Sequence, residues 1–181
     1  VMPLTGAGAR VYEVSSVGET SSADSPVISI RNQPSGSRNR GAAVLEIDLP
    51  PMDRRRVVDA MLAMTLKGGI SSDETRELEV FARMDSTDND NTRLTWEKME
   101  TLKQSGSLVS VGKWDFSNRG FRNNNRAGAM RFSSSHLINL LRQSDDGHLT
   151  LVVERTDLSN GQTQIWRAHD QSTWIPHFSL F

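Results

Sequence analysis

The chain has 181 residues, with 21 Lys plus Arg against 22 Asp plus Glu and a formal net charge of −1. That length suits a single domain able to bury its own core without staples. Cysteine is absent, which excludes a disulfide framework and thiolate chemistry; the balanced charge gives no global pull toward nucleic acid, and no apolar run reaches the ~18 residues that crossing a membrane as a helix requires.

Taken in order, Arg10 to Val14 reads as the first strand, after an opening at Val1 that fits a mature or excised fragment with no signal peptide. Val27 to Arg31 alternates apolar and polar, the pattern of a half-buried strand. Residues 32–40 are turn-like in composition. Ala42 to Leu49 follows as a strand with Ala43, Leu45 and Ile47 on one face and Val44, Glu46 and Asp48 on the other. Pro50 and Pro51 end it, because proline cannot donate to a ladder. Arg54-Arg55-Arg56 reads as a solvated charged loop. Residues 54–66 fit helical and alternating spacing alike; their β-like neighbours favour a strand from Ala60 to Leu66. Glu77 to Ala82 is another strand.

Asp85 to Asn91 is a polar loop, and Trp96 to Ser105 holds the Trp96, Met99, Leu102 spacing of a short helix. Ser107 to Phe116 reads as strand, residues 117–127 as a long Asn/Arg/Gly loop, and Ala129 to Phe132 as strand. Ser134 to Arg142 is a helix with serine caps and Leu137, Leu140 and Leu141 on one face. From Gly147 onward the chain alternates β-rich runs with polar turns: 148–154, 163–168 and 174–181, separated by turns at 157–162 and 170–173. The fold expected is all-β, a β-sandwich of the jelly-roll kind with one or two short helices, in one domain spanning 1–181.

Five ordered segments resemble a known family. They are residues 27–49, with an arginine-bearing strand closing on Ile47-Asp-Leu49; Val58 to Leu62; Thr95-Trp96; Met130 to Leu140; and the pair Leu149–Glu154 with Ile165–His169. Together they resemble the DNRLRE-type domain, best known from the alginate-binding modules of carbohydrate-binding module family 96. Ile47 stands where the family has phenylalanine, and Trp166-Arg167-Ala168 where it has Ser-Arg-Glu. The resemblance implies a non-catalytic sandwich module that binds an anionic polysaccharide, alginate-like or sulfated, attached to a catalytic domain in a secreted or cell-surface parent.

Arginine grips carboxylate or sulfate with a planar fork, lysine with a point charge, and aromatics take the apolar faces of sugar rings. From Lys113 to Arg131 five basic residues face one acid, Asp115, with Trp114 and Phe121 interleaved. Lys113, Trp114, Arg122 and Arg126 are therefore expected ligand contacts, together with Arg31 and Arg40 at the first hairpin and Arg167 near the end; a solvated loop is the plain alternative for each. For Arg167 the resemblance also implies a structural arginine paired with Glu154 or Asp48. Trp96 and Trp174 read as packing residues, and Trp166 and Arg167 as facing opposite sides of one strand.

No cofactor is expected. A structural calcium ion is the one candidate, at Asp85 to Thr92, whose carboxylates and carbonyls suit a hard cation. A jelly-roll polysaccharide lyase is the competing enzymatic reading. It needs an acid and a base for β-elimination, and the chain offers a single tyrosine, Tyr12, with His169 or His177. A structural or adhesive module of a surface protein is the third.

Overall fold

A computed structural model of the chain describes residues 2–5, 8–17, 25–34, 39–67, 75–86, 93–117 and 128–181. Among them eleven strands form one antiparallel hydrogen-bonded sheet: β1 (Met2–Pro3), β2 (Ala9–Ser15), β3 (Val27–Asn32), β4 (Arg40–Asp48), β5 (Ala60–Leu66), β6 (Thr75–Asp85), β7 (Val109–Ser117), β8 (Gly128–Phe132), β9 (His148–Arg155), β10 (Ser159–Trp166) and β11 (His177–Leu180). Two helices accompany them, α1 (Trp96–Gln104) and α2 (Ser135–Gln143). The all-β expectation holds, and so does the strand reading of 60–66. No helix among the described residues is long and apolar enough to cross a membrane.

The sheet has two arms. In one, β4 lies between β2 and β9, and β9 leads through β6 to β7. In the other, β5 pairs with β8 on one side and with β11 and the end of β10 on the other. The arms join where β3, paired along its length with β10, meets the start of β4 at Arg31↔Gly41 and Asn32↔Arg40. Alternation does the rest. Ala43, Leu45 and Ile47 of β4, Leu149, Leu151 and Val153 of β9 and Leu78, Val80 and Ala82 of β6 share one buried cluster with Ala60, Leu62, Met64 and Leu66 of β5 and Met130 and Phe132 of β8. Leu137 and Leu141 of α2 join it.

The opposite face of the first arm is covered as well. Tyr12, Val14, Ala42, Val44 and Val152 pack against Met99 and Leu108, with Trp96 and Leu102 of α1 alongside. Thr95 caps α1 by accepting from the Lys98 N–H at 3.2 Å, and Ser134 caps α2 from Leu137 at 3.1 Å. Three local expectations change. Arg54–Arg56 is a 3₁₀ turn, capped by Asp53, and not a free loop. β10 begins at Ser159, inside the segment read as a turn, with an irregular register between Ser159 and Gln162. The last strand starts only at His177, because Ser172–Trp174 forms a second 3₁₀ turn.

Candidate functional site

Among the described residues, the expected ligand residues do not form one surface. Arg31 is buried, with its guanidinium held inside the protein: it meets Glu13 at 3.2 Å, Asn39 Oδ1 at 2.8 Å, the Ser29 carbonyl at 2.9 Å and Ser15 Oγ at 3.1 Å. It braces the β2–β3 contact and does not project onto an outer face. Trp114 is 7% exposed and packs on Phe132 in the main core, ring centroids 5.7 Å apart. Lys113, its neighbour in β7, is exposed, 3.3 Å from Glu77. Arg40 lies over the Trp96 ring at 5.7 Å. It stands at the start of β4, three strand spacings from β7, roughly 14 Å. Arg122 and Arg126 lie outside the described residues. Arg167 is half-buried and donates from Nε to the Ser25 carbonyl at 2.7 Å. The partners considered for it are engaged elsewhere, Glu154 with Lys103 and Asp48 with His148.

What the fold does bring together is an aromatic corner between β10 and β11. Trp166 is the last residue of β10 and pairs with Val27 of β3. Ile165 points into the core, so Trp166 faces outward. The ladder stops there because the next residue of β3's approach is Pro26, which has no N–H to give. Its carbonyl instead accepts from both Arg167 N and Ala168 N, at 2.8 and 3.2 Å, and turns the chain out of the sheet. His169 Nδ1 then accepts the Gln171 N–H at 2.9 Å, and Trp174 N donates to the Gln171 carbonyl at 3.0 Å to close the 3₁₀ turn. Ile175 and Pro176 are buried behind it.

Three half-buried rings result. His169 stacks on Trp174 with centroids 4.2 Å apart and meets Trp166 edge-on at 4.7 Å, while the two indoles are 6.2 Å apart. These are contact distances, so nothing fits between the rings; a ligand can only lie across them. That geometry suits the C–H face of a sugar ring and not the caging of a cation. Lys67 adds a charge, its Nζ 5.5 Å from the Trp166 ring. Asp170, Gln171, Ser172 and Thr173 form an exposed polar edge. Trp174 packs on the other two rings, as the sequence suggested, and keeps part of its surface in solvent, while Arg167 follows Trp166 just past the end of β10. The available signal was two tryptophans and a histidine within nine positions, 166–174, around an Asp-Gln-Ser turn.

A second polar group sits on the outer side of the first arm. Asp48, His148 and Asp85 are cross-strand neighbours on β4, β9 and β6. His148 Nδ1 is 2.9 Å from Asp48 and Nε2 is 3.6 Å from Glu46, whose other oxygen meets Arg10 at 2.7 Å. The Glu46 hydrogen bond outweighs burial and, with Asp48 and Asp85, lifts the His148 pKa to about 9. Burial alone would raise Glu46; the bonds and charges of His148, Arg10 and Tyr12 hold it below the usual carboxylate range. Tyr12 is 3% exposed and accepts the Leu94 N–H at 2.8 Å. Burial, aided by the Glu46 charge, pushes its pKa up. A phenol so enclosed is not presented to a polymer chain. His177, the other histidine considered for elimination chemistry, is bonded through Nδ1 to the Ile175 carbonyl at 2.7 Å. Of the calcium loop, Asp85 and Ser86 are described and the rest lies outside the described residues. Asp85 is 3.1 Å from Arg83, and no group of metal-ligating side chains occurs among the described residues.

Comparison with family models and with curated proteins returned no match.

Proposed function

We propose that this chain is a non-catalytic polysaccharide-binding module, a β-sandwich of the jelly-roll kind in a secreted or cell-surface parent, and that the Trp166–His169–Trp174 corner is its binding platform. The observation that carries the reading is the contact cluster of half-buried aromatic rings beside an exposed polar turn. The rings are half-buried against one another, and covering the apolar area they still leave in water with a sugar face is favourable at about 25 cal/mol per Å². Lys67 over Trp166 and Arg167 beside it supply positive charge, in keeping with an acidic glycan such as alginate. Lys113 and the basic stretch that follows it would be a separate contact for the same polymer.

The test is affinity electrophoresis of the chain in gels containing alginate, a sulfated galactan or the neutral β-glucan laminarin. Retardation by the acidic polymers is expected, fading as salt is raised because exposed charges are screened over about 10 Å at 0.1 M. The Trp174→Ala protein, assayed below its melting transition, should bind about tenfold more weakly, the loss of a central aromatic anchor. Full retention by the Trp174→Ala protein, or no retardation of the wild type in any gel, removes the platform reading.

A further inference from the structure

Resting on that reading, we infer that His169 is the polar reader of the corner: a neutral imidazole held as its Nε2–H tautomer, donating to an acceptor oxygen of a sugar ring that lies across Trp166 and Trp174. Nδ1 receives the Gln171 backbone N–H at 2.9 Å. A backbone amide can only donate, so Nδ1 carries no proton and the ring proton sits on Nε2. The ring also makes two aromatic contacts, the stack on Trp174 and the edge contact with Trp166. The ring is half-buried and keeps part of its surface in solvent. It therefore offers one oriented N–H at the border of an apolar surface.

That combination selects a chemistry. The indoles take C–H bonds and ignore polar substituents, so alone they would accept many sugars. An N–H fixed at their edge asks for a hydroxyl or carboxylate oxygen just beyond the apolar face of the same ring. A ligand lacking that oxygen would strand the donor, and a desolvated donor without a partner is costly. His169 would set which pyranose, and which of its edges, is accepted.

Hydroxyl and carboxylate sources are separated by titrating alginate and laminarin oligosaccharides in parallel into ¹⁵N-labelled protein. The free protein should show the Nε2–H tautomer at His169, and the bound one a shift at Nε2 larger than at Nδ1. His169→Phe keeps a ring for stacking but removes the donor, and should bind about tenfold more weakly. His169→Gln places an amide N–H near the Nε2 position and should recover part of the loss. Wild-type affinity in His169→Phe with weakened Trp174→Ala would overturn the donor role and leave the platform standing. Wild-type affinity in both variants, or no binding of either glycan to the unaltered protein, removes the platform and this inference with it. An Nδ1-protonated His169 in the free protein also overturns it, independently of how the variants fold.

Discussion

Gly41 has no side chain, and the Arg31 guanidinium occupies the volume one would need. A Cβ there would stand 2.4 Å from Arg31 Nη1 and 2.8 Å from the Ser29 carbonyl. Neither can give way easily, since the guanidinium is held by Glu13, Asn39, Ser29 and Ser15 at once. Gly41→Ala should therefore cost about 2–4 kcal/mol, the scale of a disturbed buried ion pair, read from the urea midpoint at an unchanged slope. The sequence suggested an arginine at a strand end, and β3 is indeed there. Its partners come from β2 and from the turn before β4, so no local pattern shows that Arg31 is enclosed. His148 poses the same difficulty, since its carboxylates belong to β4 and β6. Its folded pKa of about 9 lies above the ordinary imidazole value of about 6.5. The protonated ring thus contributes stability that is full below the unfolded value and is lost as pH rises through the folded one. Thermal unfolding should show the wild type losing stability between about pH 6.5 and 9.5. His148→Gln should begin less stable and lack that decline; a parallel fall in both proteins would show that another group governs it.

At the scale of elements, periodicity was a good guide to type and a poor one to surroundings. The alternation in β4 separates Ala43, Leu45 and Ile47 from Val44, Glu46 and Asp48, as expected. Both faces prove covered, one by the other arm of the sheet and one by α1 and its flanks. Glu46 is consequently buried on a face where a carboxylate would ordinarily meet water, and Arg10 and His148 are what make that tolerable. β10 shows the converse error. Ser159 to Gln162 has turn composition, yet pairing with β3 keeps it in the ladder at the expense of one irregular register step; tertiary pairing overrides local preference in strands. The aromatic corner was hidden for a related reason. Alternation assigns Trp166 and Arg167 to opposite faces only while the strand continues, and the doubly accepting Pro26 carbonyl ends it between them.

For the whole molecule, the question is how the two arms are held together apart from the β3–β4 bridge. β7 and β8 end the two arms, and their contact runs through Trp114 on Phe132, with Gly112 close beneath the same ring. Gly112 has φ +149°, a conformation L side chains avoid, next to the irregular register at Val80/Phe81. The bulge and the missing side chain let Phe132 approach β7. Trp114 therefore acts in closing the core, although its place beside Lys113 in a basic stretch invited a ligand-binding role. The two roles predict different things. Trp114→Ala should destabilise by about 3–5 kcal/mol, as removal of a large buried aromatic does, while Trp114→Phe should retain most of the packing. If closure is its whole task, the folded Trp114→Phe protein keeps wild-type glycan retention, whereas Trp174→Ala, assayed below its own melting transition, does not. Loss of retention in Trp114→Phe at an unchanged melting temperature would return Trp114 to the ligand surface and would require β7 to open toward solvent when glycan binds.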